Sequence, residues 1–292
     1  MFNVCCSASS FVNYDMHHNP KPLALSAGEL EFIEKMLWYA PNISSYQSES
    51  VPLFKDAKYE NILFEYIMDG LGMDEATDVE WRGKSDYVPT GYMTYFDGRM
   101  CINCQKIIIC KYPSRTKTEE LFRSIRNTIA HGRFTFSNGY FIGIDLKTSG
   151  TTDNFTGIIK LRLGNDKGVL KELWQADLKE ILMKYAFGKL GYTVVSDDSM
   201  AHRFDFGLKK DGKEFVVELK SLSDGRFIHN LHIEDKIQFA KNLPDKRKYV
   251  LIIDNAKITK EVSHALENVP NMVLIDSVGI GRLFAGEDIL QG

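Results

Sequence analysis

The chain has 292 residues, 44% of them hydrophobic and 26% charged, with a formal net charge of −3. That length supplies ample material for a core in one large domain or two ordinary ones. No apolar run approaches the ~18 residues of a membrane span, and the charge balance carries no global mark of a nucleic-acid binder, although an enzyme can keep its basic groups local.

In chain order, residues 1–25 read as an irregular arm without the basic and apolar regions of a secretory signal, so a cytoplasmic location is expected. Ser26 and Glu29 form a capping box that opens a helix carrying Leu30, Ile33, Met36 and Leu37. A Ser/Pro-rich loop covers 41–55, and a second helix over 57–69 buries Ile62, Leu63, Tyr66 and Ile67. Residues 70–113 read as turns with short strands near 91–96 and 106–111. Thr116 and Glu119 form another capping box, and the helix that follows ends at Gly132. Two strand-like runs come next, "GYFIGIDL" and "FTGIIKLRL". The texture then changes near residue 165, where a domain boundary is placed. An amphipathic helix over 169–189 ends at Gly191, and short strands and helices continue to the end.

Five cysteines, Cys5, Cys6, Cys101, Cys104 and Cys110, do not suggest a disulfide framework. "CINC" is half of a zinc-ribbon spacing with no second CxxC. Cys110 and the distant Cys5, Cys6, His17 and His18 could complete a site, but buried thiols are expected in place of a structural zinc. The local basic clusters, Arg115, Lys117, Arg123, Arg126 and Arg133, then Lys209, Lys210 and Lys213, read as solvated faces before phosphate tracks.

The stretch "HRFDFGLKKDGKEFVVELKS" consists of two alternating runs joined at Asp211-Gly212, the signature of a two-residue hairpin turn. That turn sets Leu208 opposite Phe215, Phe206 opposite Val217 and Asp205 opposite Glu218. The apolar pairs fall on one face, and Asp205, Glu218 and Lys220 on the other. Opposed carboxylates have Cβ atoms ~5 Å apart and repel. A divalent cation would convert that repulsion into a chelate, since Mg²⁺ takes one or two carboxylates plus waters and phosphate oxygens. Lys220 would contact the same phosphate or help deprotonate a water.

Asp205 followed by Glu218-Leu219-Lys220 resembles the PD-(D/E)XK signature of restriction-endonuclease-like nucleases, although no Pro precedes Asp205. The elements around it, a helix ending at "LGYTV" and then "IEDKIQFAKNL" and "KYVLIID", are similar to that family's α-β-β-β-α-β core. The resemblance implies Mg²⁺ or Mn²⁺ at Asp205 and Glu218, with a helical acid completing the site. Glu180 is the best placed, Glu172 the alternative, and Gln238 matches a further site position.

A different signature lies in "LFRSIRNTIAHGRF". Leu121, Phe122, Ile125 and Ile129 are spaced to bury one face, which leaves Arg126, Asn127 and His131 to be explained. At ~100° per residue, Arg126 and His131 lie about 140° apart, so they converge only in a cleft shared with another helix or subunit. A histidine serves as acid and base near neutrality, and an arginine grips a phosphate with two parallel hydrogen bonds. "RNTIAH" resembles the R-N-x-x-x-H signature of the HEPN superfamily, helical-bundle domains that include metal-independent endoribonucleases of toxin–antitoxin, abortive-infection and CRISPR systems. The resemblance implies a site at a homodimer interface with no cofactor, where His131 is the acid/base, Arg126 stabilises the phosphorane and Asn127 orients the phosphate or the histidine.

The sequence therefore predicts a two-domain α+β chain. Residues 1–165 are expected as a HEPN-like helical bundle with its irregular arm, and 166–292 as a PD-(D/E)XK-like α/β domain with a mixed sheet. The expected activity is cleavage of RNA and/or DNA in antiviral defence or growth arrest, with an antitoxin or other regulatory partner possible and no membrane involved. The alternative is a nucleic-acid-binding or sensor protein in which one or both nuclease folds are inactive.

Overall fold

The computed structural model describes residues 2–6, 10–16, 24–38, 52–149, 152–164, 169–175, 177–195, 204–221, 227–228 and 233–291. The chain divides into two compact units, Met1–Ala176 and Asp177–Gly292. Both combine helices with sheets, so the α+β class holds. No helix among the described residues is long and apolar enough to cross a membrane.

The first unit begins with β1 (Phe11–Asn13), α1 (Ala27–Trp38), α2 (Glu60–Leu71) and the short α3 (Glu75–Asp78). β2 (Val79–Gly83), β3 (Arg99–Cys101), β4 (Lys106–Lys111) and the long α4 (Lys117–Ala130) follow. β5 (Phe134–Ser137), β6 (Tyr140–Ser149), β7 (Thr152–Arg162) and α5 (Val169–Glu172) complete it. The sequence prediction of a helical bundle is incomplete here, because the unit contains a five-stranded sheet ordered β2-β4-β7-β6-β5. Asn138 and Gly139, both at positive φ, turn β5 into β6, the Asn-Gly hairpin turn that matches strand twist. The run near 91–96 forms a 3-10 helix, Thr90–Tyr95, rather than a strand. It starts after Pro89 at φ −57°, and Thr94 caps back onto the Gly91 carbonyl at 2.8 Å.

α4 packs against β6 and β4 and is flanked by α1 and α2. Its capping box is formed as expected: Glu119 N–H donates to Thr116 Oγ1 at 3.1 Å and Thr116 N–H to Glu119 Oε2 at 3.3 Å. Leu121, Phe122, Ile125 and Ile129 are all buried. So are Glu119 and Glu120, carboxylates in the first turn where the helix dipole favours negative charge.

The predicted helix over 169–189 is broken. Its first turn, α5, belongs to the first unit, where Leu173 is buried and Trp174 packs against the rings of Phe122 and Phe54 at 5.9 and 6.4 Å. These apolar anchors hold α5 in the first unit, which ends at Ala176. Gly70 on α2 makes room for α5: a Cβ there would lie 2.1 Å from Val169 Cγ2 and 2.6 Å from Val169 Cβ. Gly70→Ala is expected to destabilise the first unit by about 1–3 kcal/mol. A urea midpoint at the wild-type value would show that α5 yields freely.

The second unit runs α6 (Leu178–Lys189), β8 (Thr193–Val195), β9 (Phe206–Lys210), β10 (Lys213–Ser221), β11 (Phe227–Ile228), α7 (Glu234–Lys241) and β12 (Arg247–Asp254). β13 (Lys257–Ile258), α8 (Lys260–Leu266), β14 (Met272–Ile275) and α9 (Ser277–Phe284) follow. Its five-stranded sheet is ordered β14-β12-β10-β9-β8. β8, β9 and β10 are antiparallel neighbours, and β10, β12 and β14 are parallel. The mixed sheet follows from its connections, since a two-residue turn joins β9 to β10 whereas α7 and α8 carry the parallel crossovers. On one face Phe206 and Phe215 meet Phe187 and Tyr192. On the other, Val216, Tyr249, Leu251 and Ile253 form a core with Ile233 and Ala240.

Candidate functional site

The hairpin adopts the register that its turn dictates. Asp211 and Gly212 both have positive φ, 50° and 74°, and Phe206 lies opposite Val217 and Leu208 opposite Phe215. Just before β9, Asp205 N–H donates to the Val217 carbonyl at 2.9 Å, and its Oδ2 accepts from Leu219 N–H at 2.5 Å. Asp205 is thereby held beside Glu218. Lys220 Nζ stands 2.9 Å from Glu218 Oε1, so Asp205, Glu218 and Lys220 form one constellation.

Two residues that the sequence reading missed complete it. Lys236 of α7 donates to both Glu218 oxygens, at 3.1 and 2.9 Å, and the Tyr249 hydroxyl of β12 donates to Oε2. The Glu218 carboxylate lies in a cavity of ≈ 220 Å³ whose lining includes Phe204, Asp235, Lys236, Phe239 and Tyr249. Burial alone would raise its pKa. Hydrogen bonds from Tyr249, Lys220 and Lys236 outweigh that and hold it below the ordinary glutamate value. The same contact with Glu218 raises the Lys220 ammonium above the usual lysine range, with Asp205 adding to it. Burial, then the bond to Glu218, pushes the Tyr249 phenol up. The centre is thus an ionised carboxylate facing two ammonium groups.

The other predicted members have contacts or surroundings of their own. Glu180 pairs with Lys184 one turn along its own helix at 2.5 Å. The neighbouring Lys179 reaches Asp254 at 2.5 Å and Ser221 at 3.2 Å, on the strand face opposite Glu218. Gln238 is exposed, two positions from Lys236 and so ~200° around the helix from it. Glu172 belongs to the first unit, where it accepts from Tyr66. Asp205 and Glu218 are the two adjacent carboxylates of this centre, with Asp235 in the lining of the same cavity, and two would suffice for Mg²⁺ or Mn²⁺ completed by water and phosphate oxygens. Asp205 would have Oδ1 to offer such an ion, and Glu218 would have to release lysine hydrogen bonds to join it.

In the first unit Asn127 and His131 both act on Asp145, and Arg126 is not among the groups that do so most. Asn127 lines a second cavity, ≈ 220 Å³, with Arg123, Asp145 and Thr156. Arg126 Nε is buried without a hydrogen-bond partner among the described residues. His131 is exposed and caps the helix, its N–H donating to the Asn127 carbonyl at 3.0 Å. The residue that organises this region is Arg123. Its Nη2 lies 2.5 Å from Glu120 Oε1 and 3.6 Å from Asp145 Oδ2, and both acids are buried, Glu120 at 0% and Asp145 at 4% exposure. Burial pushes the Asp145 carboxyl above the ordinary aspartate value, against the pull of Arg123, the polar groups of Asn127 and Thr156, and His131. Asp145 had one signal in the sequence, a charge inside the apolar run "GYFIGIDL".

The basic clusters are largely neutralised. Arg115 pairs with Glu120, Lys117 with Glu75, Lys209 with Glu214 and Lys210 with Asp288. The structure does gather one set of metal-ligating side chains that the sequence left incomplete, Cys5, Cys6, Cys101 and Cys104. Cys110 lies elsewhere, its thiol directed at the Asp86 carbonyl, and His17 and His18 lie outside the described residues. No family model, no curated protein and no solved structure matches the chain, so the reading of its chemistry rests on these side chains.

Proposed function

We propose that this chain cleaves nucleic-acid phosphodiesters, and that the hairpin centre of the second unit carries the chemistry. The observation that supports it most is the pairing of Asp205 with Glu218, with Lys220 on the same carboxylate, within the succession of α6, the sheet strands β8, β9 and β10, the two-residue β11, α7 and β12. Two acids set side by side at the cost of mutual repulsion have a use if a cation bridges them. Asp205 and Glu218 would hold Mg²⁺ or Mn²⁺, which supplies Lewis-acid polarisation of the phosphate and a bound water of lowered pKa. Lys220, more than half exposed and firmly protonated, holds a phosphate oxygen and neutralises charge there rather than taking a proton. Lys236 occupies the carboxylate until substrate and ion arrive, then offers a second cation to the phosphate.

A second reading concerns the first unit. Asn127 and His131 both bear electrostatically on buried Asp145, which gives the R-N-x-x-x-H stretch a polar cavity as its neighbour. In this reading His131 transfers protons to and from the RNA 2′-hydroxyl and leaving oxygen, without metal. Arg126 of one copy faces His131 of another, so a homodimer is required. A chain with such activity fits antiviral defence or growth arrest, with a partner that restrains it.

The test is cleavage of labelled single-stranded RNA and duplex DNA by the full chain, in Mg²⁺, in Mn²⁺ and in EDTA, with His131→Ala alongside. Cleavage that needs the metal and survives His131→Ala is the expected result for the hairpin centre. Cleavage in EDTA that His131→Ala abolishes would establish the second reading. Binding of either substrate without cleavage in any condition would make the chain a nucleic-acid sensor, in keeping with a Glu218 carboxylate already occupied by lysines.

A further inference from the structure

We infer that the first unit holds a structural zinc ion on Cys5, Cys6, Cys101 and Cys104, a site independent of the proposed nuclease centre. The four sulfur atoms lie within 4.8 Å of one another. Tetrahedral zinc with Zn–S bonds of ≈ 2.3 Å separates its sulfurs by about 3.8 Å, so movements of an ångström or less would close the shell. Cys6 and Cys101 already stand at 3.5 Å. An all-sulfur, four-donor set selects zinc over the hard cations.

The backbone builds the site from two distant segments. β1 pairs antiparallel with β3, Phe11 opposite Cys101, and Ile102 N–H donates to the Ser10 carbonyl at 3.0 Å. That short ladder brings Cys5 and Cys6, at and just after a bend at Val4 and Cys5, onto the Cys101–Cys104 segment. Asn103 N–H points at Cys101 Sγ, 3.4 Å away, the kind of outer hydrogen bond that steadies a metal-bound thiolate. Tyr140 OH donates to the Ile102 carbonyl at 2.7 Å and fixes the turn from below.

Lys160 supplies the second, independent observation. Its side chain is 1% exposed, and Nζ donates to Cys101 O at 2.9 Å and to Cys104 Sγ at 3.3 Å. Its remaining contacts are the faces of Phe96 and Tyr140, and among the described residues no carboxylate pairs with it. A buried ammonium without a counter-charge is costly. Four thiolates around Zn²⁺ carry a net charge of −2, and their four protons leave to solvent on binding. Lys160 is placed to balance half of that charge. Cys5, Cys6 and Cys104 also line a cavity of ≈ 1030 Å³, which gives the ion a route in.

Zinc here would fasten the N-terminal segment, whose own ladder is three residues long, to the β3 turn. The experiment uses the purified full chain: metal content by mass spectrometry of the native protein, a count of reactive thiols, and visible spectra after chelation and titration with Co²⁺. The expected result is about one zinc per chain, retained in Cys110→Ser and lost in Cys104→Ser. Co²⁺ should give the intense bands of a tetrahedral all-thiolate site, and chelation should lower the melting temperature by several degrees. Because the cobalt spectrum is read on the wild-type chain, it holds even if Cys104→Ser fails to fold. A chain that binds neither metal and keeps five reactive thiols would overturn the inference. A metal-free chain that has lost thiols in pairs to disulfides would also overturn it, and so would stoichiometric iron in place of zinc.

Discussion

Glu218→Gln is expected to lower metal-dependent cleavage by about a hundredfold or more, the scale seen when a metal site loses ligand charge or its supporting bonds, while leaving the second unit folded. Gln keeps an acceptor for the Tyr249 hydroxyl and for one lysine, so the cost is the difference between charged and neutral hydrogen bonds, about 1 kcal/mol. Glu218→Leu should cost ~1–3 kcal/mol more, because the Tyr249 hydroxyl would be buried with no acceptor. Cleavage rates across both variants, beside their melting temperatures, separate chemistry from stability. Full activity in Glu218→Gln would remove the hairpin centre from the reaction. The pH dependence has a definite sign. The folded pKa of Glu218 lies below its ordinary value, so its stabilisation is complete above the unfolded glutamate pKa of ~4.3 and fades as pH falls through the folded value.

Arg123→Met is expected to destabilise the first unit by about 3 kcal/mol. Arg123 stands between Glu120 and Asp145, which are 0% and 4% exposed, and removing one partner of a buried charge cluster costs ~3–5 kcal/mol. Arg115 still reaches the second oxygen of Glu120 at 3.3 Å, which places the loss at the lower end. Asp145 is the more exposed to this change electrostatically, since its carboxyl already sits above the ordinary value. A raised folded pKa means that the native state binds the proton more tightly. Its ionisation therefore costs stability at neutral pH, and the cost is relieved as pH falls through the folded value toward ~3.9. Arg123→Met should gain more from mild acid than the wild type does. Adding Asp145→Asn should recover part of the loss at pH 7, and a double variant no more stable than the single would place the defect elsewhere. Urea unfolding at pH 5 and pH 7 measures both effects.

How far these sites could be read from the chain depended on how local their determinants are. The Asp205–Glu218 pairing was legible because a two-residue Asp-Gly turn fixes every opposite pair along the hairpin. The α4 cap was legible because Thr116 and Glu119 are three residues apart. Lys236 was not, because which face of α7 looks at the hairpin depends on packing across the sheet, and a shift of two residues points the side chain away, as Gln238 shows. The sheet of the first unit was read only in part, since β2 is five residues with Glu80 and Arg82 among them and takes its place by parallel pairing with β4. The cysteine cluster joins positions 95 residues apart through a ladder three residues long, too short to announce itself in a pattern.

The hairpin has a consequence for the order in which the second unit assembles. Asp205 and Glu218 are brought together by a local turn, whereas Lys236 and Tyr249 arrive from 18 and 31 residues beyond Glu218. A hairpin that forms alone juxtaposes two carboxylates with only Lys220 to offset them. The early, local step is therefore uphill at neutral pH until α7 and β12 dock. Refolding of this unit should be accelerated by divalent cations and by mild acid, and mild acid should accelerate its unfolding as well, because a protonated Glu218 gives up its charge-assisted lysine bonds in the native state.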